Sequence, residues 1–312
     1  MPNSLALVQW IVHRASTSRI WVRFLYAGPL VLALAAQADA KPKSVAPPAP
    51  EARAVLLFDQ KTKTVVEGIN IHERLPIASV SKLVTAYVVL ESQVDLDQKV
   101  KVPSSSIDRS KILRADSFVT RRELLYMALI ASDNLAARTL ADAHPGGYNN
   151  FISKMNTTVK SLGMMNTGFA DASGLSVFNT STAWDLHILN TAIVKYSIFN
   201  DTAMSKTATQ QVEGARGKIK QFIMRNTSAL AGEFDLQLGK TGFTNAAKWC
   251  IDLQVRHGSK SFDVIVLGSP SKEVRNKLAK KLIQKYTNGF IGMTVIDQID
   301  QIDLGLVDQA LN

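Results

Sequence analysis

The chain has 312 residues, 36 Lys and Arg against 26 Asp and Glu, a net charge of +10, and 46% apolar residues. That is enough to bury one large core or two that share an interface. The single cysteine, Cys250, excludes an internal disulfide. The five histidines (His13, His72, His144, His187, His257) are dispersed, and His72-Glu73 lacks the second histidine of a zinc helix, so no metal or other cofactor is implied.

The first forty residues read as a leader. Arg14, Arg19 and Arg23 precede an uncharged run from Phe24 to Gln37, which ends in Ala38-Asp39-Ala40. A positive flank, an apolar stretch and an A-x-A sequence predict a signal peptide over residues 1–40, cleaved after Ala40. The alternative is an uncleaved anchor over 20–36, which Arg23 and Pro29 interrupt. Cleavage would leave 33 basic and 25 acidic residues, a net charge of +8. A basic exported protein, periplasmic in this reading, suits anionic wall polymer or membrane surfaces, and export removes nucleic acid as a partner.

Residues 41–53 hold Pro42, Pro47, Pro48 and Pro50 and predict an extended linker. The run 54–58 predicts a strand, turned back by Asp59-Gln60-Lys61-Thr62 into Thr64-Val65-Val66. A helix is expected to open at Ser79, after Pro76, and 101–117 to run irregularly. Thr120-Arg121-Arg122-Glu123 matches a capping box and starts a second helix, with Leu124, Leu125, Ala128 and Leu129 inward. Ser132-Asp133-Asn134 should break this helix from the next, because short polar side chains compete for backbone hydrogen bonds. Pro145-Gly146-Gly147 is a second break, and 148–162 a further helix ending at Gly163. An ordered loop over 164–183 and a helix over 182–196 follow; 205–231 supports neither state clearly.

The last third turns to strands. Residues 236–242 alternate. Trp249, Ile251, Leu253 and Val255 alternate with Cys250, Asp252, Gln254 and Arg256, which predicts a half-buried strand. His257-Gly258-Ser259-Lys260 turns it into 262–267. A helix over 272–286 places Val274, Leu278, Leu282 and Tyr286 in register, and Asn288-Gly289 stops it. An acidic tail over 291–312 carries Asp297, Asp300, Asp303 and Asp308. Strands at both ends with helices between predict an α/β fold: an antiparallel sheet flanked by helices, with an inserted helical subdomain.

Ser79 and Lys82 stand three apart before the apolar run 83–90, so on a helix they share a face. A serine hydroxyl needs an adjacent base to act as a nucleophile. Lysine is a base only when neutral, which takes a depression of about three pKa units, or roughly 4 kcal/mol. About one such match arises by chance in a chain of this composition; Ser269-Pro270-Ser271-Lys272 is a second. The ordered set Ser79-x-x-Lys82, Ser132-x-Asn134 and Lys240-Thr241-Gly242 is far less accidental, the last two occurring once each. It is the motif set of class A β-lactamases and penicillin-binding proteins.

Residues 51–290 resemble the low-molecular-weight penicillin-binding proteins, the serine D-alanyl-D-alanine peptidases, and 54–290 would form the peptidase domain. His144-Pro145-Gly146-Gly147-Tyr148, Lys160-Ser161-Leu162-Gly163-Met164, Gly174-Leu175-Ser176-Val177 and Lys240-Thr241-Gly242-Phe243-Thr244-Asn245-Ala246-Ala247 resemble the endopeptidase subgroup. Lys248-Trp249 departs from it, standing where small residues are expected. The chain also has no β-rich C-terminal domain of the kind some carboxypeptidases carry, which favours the endopeptidase side.

The resemblance implies Ser79 as the acylated nucleophile, Lys82 as its base, and Ser132 as the proton relay to the leaving amine. Asn134 would hold the substrate amide, and Lys240 a substrate carboxylate while helping to keep Lys82 neutral. Thr241, Gly242 and Phe243 would line the substrate strand, with the backbone N–H groups of Ser79 and Phe243 as the oxyanion hole. It implies peptidoglycan stem peptides and cross-links as substrates, and β-lactams as covalent inhibitors. A carboxypeptidase trimming free stems, or a non-catalytic wall- or penicillin-binding module, are the alternatives. A β-lactamase needs a glutamate between the second and third motifs to activate deacylating water. No glutamate stands between Glu123 and Glu213, and Asp171-Ala172-Ser173-Gly174 reads as a turn.

Overall fold

The structure, a computed structural model, describes residues 50–104 and 108–288. The expected signal peptide, residues 41–49 of the linker and the acidic tail lie outside them. The end of the linker already belongs to the sheet, for the Arg53 N–H donates to Leu267 O at 2.9 Å.

The chain begins as the expected hairpin, β1 (Ala54–Asp59) and β2 (Thr64–Ile69). The Asp59 carboxylate makes the turn by accepting the Lys61 and Thr62 N–H groups at 2.7 and 3.1 Å. After a short β3 (Leu75–Pro76), a 3-10 turn over Ala78–Ser81 leads into helix α1 (Lys82–Glu91). Ser79 therefore sits on a tight turn before the α-helix rather than on the helix itself.

Short strands β4 (Lys99–Lys101) and β5 (Phe118–Thr120) bracket the irregular stretch, and α2 (Arg121–Ile130) starts at the expected capping box. Helix α3 (Asn134–Asp142) follows the polar break, with Asp133 as N-cap accepting the Ala136 N–H at 2.9 Å. Then come α4 (Gly147–Ser161), β6 (Thr180–Ser181), α5 (Ala183–Ile193) and α6 (Ser197–Met204). The unclear stretch 205–231 contains the hairpin β7 (Thr207–Glu213) and β8 (Ile219–Arg225), which joins β4 and β5 in a four-stranded sheet. The chain closes with β9 (Leu236–Thr244), β10 (Lys248–His257), β11 (Lys260–Ser269) and α7 (Lys272–Thr287).

The main sheet has the order β2-β1-β11-β10-β9, antiparallel throughout. Its N-terminal hairpin and C-terminal meander join where β1 pairs with β11, Leu56 opposite Ile265. This is the α/β arrangement expected: the sheet comes from both ends of the chain and the helices from its middle.

Burial corrects one expectation. Cys250, Asp252 and Gln254 are as buried as Ile251, Leu253 and Val255, so β10 is covered on both faces. Helix α7 covers one face with Leu278, Ala279, Leu282 and Ile283, packed on Leu57, Leu253 and Val264. Each such leucine contributes about 2 kcal/mol of burial. On the other face α5 meets a polar layer, where Gln254 Nε2 donates to Asp263 Oδ1 at 3.0 Å and Asn190 Nδ2 to Asp252 Oδ1 at 2.8 Å. The alternation marked two faces correctly, but polar residues on one of them did not mean solvent.

Candidate active site

The nucleophile turn is held from two sides. Ala78 has φ 48°, a left-handed conformation that turns Ser79 towards the edge strand β9. A Cβ on Gly242 would lie 2.6 Å from Ile77 O, and one on Gly174 would lie 2.0 Å from Ala78 O. Only glycine at both places lets strand and loop close on this turn. Asp171 shapes the loop by accepting the Ser173, Gly174 and Ser176 N–H groups at 2.7, 2.5 and 2.6 Å. Its carboxylate is thereby committed to backbone, as the turn reading expects.

Lys82 opens α1 and is fully buried. Its Nζ lies 2.8 Å from Ser79 Oγ, 2.7 Å from Asn134 Oδ1 and 2.5 Å from Ser173 O. Burial lowers its pKa to about 7, against the pull of the Asp133, Asp171 and Asp108 carboxylates. A neutral amine has two N–H groups for Asn134 and Ser173, and a lone pair left for the Ser79 hydroxyl. Desolvation is the largest cause of this shift, and the mutual repulsion of Lys82 and Lys240 acts in the same direction.

A second chain of contacts lies beside the first. Ser132 has φ 57°, another left-handed residue, at the break between α2 and α3. Lys240 Nζ donates to Ser132 Oγ at 2.9 Å and to Thr241 O at 2.8 Å. Its pKa falls well below the usual lysine range through burial first, then through Lys82 and Arg275. Thr241 Oγ1 donates to Thr227 Oγ1 at 2.7 Å. The edge of β9 beyond Gly242 has no neighbouring strand among the described residues, so an extended peptide can pair there.

These groups open onto a cavity of about 360 Å³ lined by Ser79, Ser132, Thr241, Phe243, Trp249 and Arg275, among others. The eight residues singled out in the sequence thus form two linked sets. Ser79, Lys82 and Asn134 make one; Ser132, Lys240 and Thr241 make the other; Gly242 backs the nucleophile and Phe243 stands at the rim. Ser269 and Lys272 do not join as a pair. Ser269 is buried at the end of β11 and donates to Glu51 O at 2.7 Å, while Lys272 is exposed at the start of α7.

Sequence reading missed Arg275. Its side chain is buried and lines the cavity, and no carboxylate forms an ion pair with it among the described residues. Nη1 donates to Cys250 O at 3.3 Å and Nη2 to Asn276 Oδ1 at 2.7 Å. Burial lowers its pKa to about 10. The signal was present: Arg275 stands on the buried stripe of α7 with Leu278, Ala279 and Leu282, where an arginine needs a reason. A cation in a first helical turn also opposes the helix dipole, so it costs stability unless an anion comes to meet it.

Comparison with known proteins agrees with this geometry. Residues 41–271 match the S11 peptidase family, D-alanyl-D-alanine carboxypeptidase. A D-alanyl-D-alanine endopeptidase of Escherichia coli is 36% identical over 225 residues, covering 70% of this chain and 72% of the relative. One of Pseudomonas aeruginosa is 34% identical over 251 residues, covering 78% and 80%. The crystal structure of the Streptomyces K15 DD-transpeptidase superposes with a TM-score of 0.70 at 28% identity, covering 77% of this chain and 98% of that one. The chain belongs to the S11 family of serine D-alanyl-D-alanine peptidases, low-molecular-weight penicillin-binding proteins that act on the cell wall.

Proposed function

We propose that Ser79 is the nucleophile of a D-alanyl-D-alanine endopeptidase that opens peptide cross-links of peptidoglycan. The observation that carries the chemistry is the contact of Lys82 Nζ with Ser79 Oγ at 2.8 Å, with the amine dry enough to titrate at about 7. Neutral Lys82 takes the hydroxyl proton as Oγ attacks the D-alanyl carbonyl. The backbone N–H groups of Ser79 and Phe243 receive the developing oxyanion. Ser132, linked to Lys240, passes a proton to the departing amine, and the amide C–N bond breaks as the Ser79 ester is left. Water then hydrolyses the ester. Asn134 holds the acyl-side amide, while Thr241, Lys240 and Arg275 receive the carboxylate of the leaving residue; its negative charge favours the ammonium form of Lys240 as it binds.

The endopeptidase assignment draws on the resemblance of four sequence stretches and on the two relatives that bear this name. We assign residues 1–40 to export, 41–53 to a linker, 54–290 to the peptidase domain and 291–312 to a tail, which places the enzyme in the periplasm. Among the described residues no helix is long and apolar enough to cross a membrane. The test is purified protein with cross-linked and uncross-linked muropeptides, products resolved by mass. Cross-linked dimers should be split to monomers. Release of D-alanine from free stems with intact dimers would instead make it a carboxypeptidase.

A further inference from the structure

Two aromatic rings line the cavity beside the nucleophile. Phe243 and Trp249 face each other across β9 and β10, with ring centroids 4.2 Å apart and planes at 31°. Neither belongs to either hydrophobic core. Phe243 is 46% exposed, and both rings line the same cavity as Ser79. On β9 the side chains of residues 241 and 243 share one face, because side chains alternate along a strand. The apolar wall therefore continues from Thr241. The first turn of α7 adds Lys272 and Arg275 to the cavity, and the Arg275 guanidinium carbon lies 5.7 Å from the Trp249 ring centre.

The cavity thus offers cations for an anion and, next to them, an aromatic surface far wider than a methyl group. A leaving D-alanine would satisfy the first and leave the second bare. A leaving residue that fills both has a carboxylate on the carbon bearing the scissile nitrogen, and an aliphatic arm of several methylenes on that same carbon. The chemistry is that of a diaminopimelate-type cross-link. A lysine-type cross-link has no carboxylate at that carbon and would leave Arg275 desolvated without an anion.

Resting on the peptidase reading above, we propose that Phe243 and Trp249 form a specificity wall that takes the aliphatic arm of a carboxylated diamino acid on the leaving side. The arm departs with the amine when the amide C–N bond breaks and the Ser79 ester forms. The wall acts on the choice between leaving residues, so it is read as the ratio of two substrates that differ only there.

The test uses two synthetic substrates with one D-alanyl donor, differing only in the leaving residue: D-alanine or D-2-aminoheptanoate. Both kcat/KM values are taken on the same protein sample, so their ratio cancels any loss of folded enzyme. Wild type should prefer the long arm by at least about tenfold, the scale of apolar-pocket discrimination. Trp249→Ala should bring this preference within about twofold, and Trp249→Phe should keep most of it. A wild-type preference near one, or an equal loss on both substrates in Trp249→Ala, overturns the wall and leaves the ring pair a structural brace. The muropeptide assay reads the endopeptidase assignment separately. Intact dimers together with a strong arm preference would sink that assignment and not the wall; split dimers without an arm preference would do the reverse.

Discussion

Ser79 with Lys82 and Ser269 with Lys272 share one spacing and end in opposite surroundings. The first pair falls on a 3-10 turn running into a helix, so three residues bring Nζ back to Oγ at 2.8 Å under a buried roof. The second straddles a strand end, with Pro270 between and Ser271 as the N-cap of α7. Its serine faces Glu51 O, and its lysine stays in water. A tetrad becomes chemistry only where the backbone turns and the lysine is desolvated. Lys82 can serve as a base because α1 is buried on all sides, and Lys272 cannot because it is exposed at the start of α7.

The sharpest way to break this contrast is Lys82→Arg. It keeps the charge and removes the base, since arginine stays protonated. Penicillin acylation should fall by at least about a hundredfold, the contribution of a positioned general base. Stopped-flow acylation near the wild-type rate would remove Lys82 from the mechanism.

The next effect is graded with pH. Burial lowers Lys82 from 10.5 to about 7, so its neutral, reactive form builds up as pH rises through 7 rather than through 10.5. The acylation rate should climb with an inflection near 7 and fall about tenfold per unit well below it. An inflection near 10, or a flat profile from pH 5.5 to 8.5, would contradict a desolvated base.

The smallest effect belongs to the other tetrad. Ser269→Ala should leave acylation unchanged and cost roughly 1 kcal/mol of stability, from one buried hydrogen bond lost. Denaturant titration beside the labelling assay separates the two. Reduced labelling in a fully folded variant would erase the distinction between the tetrads.

Much of this was legible in the sequence because local rules and global fold agree. The Thr120–Glu123 capping box, the Asp133 break and the 249–267 meander all form where their residues imply. Failures came where tertiary context overrides pattern. Cys250, Asp252 and Gln254 read as a solvent face, yet all three are buried, Asp252 bonded to Asn190 of α5 and Gln254 to Asp263 of β11. The β7–β8 hairpin was illegible because its strands are polar: Gln210, Gln211, Lys220 and Gln221 give little apolar alternation. At the site, motif residues were visible as a set, but partners such as Ser173 act through a backbone carbonyl that side-chain identity does not disclose. Arg275 was hidden for another reason: an arginine in a lysine-rich helix resembles a solvated charge until the helix face is counted.

The central claim, that Ser79 is the residue acylated, is tested most directly by intact-mass spectrometry and peptide mapping after one equivalent of penicillin. A single penicilloyl adduct should appear on the peptide containing Ser79 and be absent from a folded Ser79→Ala variant. Because Asp171 is tied to backbone N–H groups and no glutamate lies between Glu123 and Glu213, the adduct should persist for many minutes. An adduct on Ser269, an undiminished adduct in Ser79→Ala, or clearance within seconds with turnover of excess drug would contradict it.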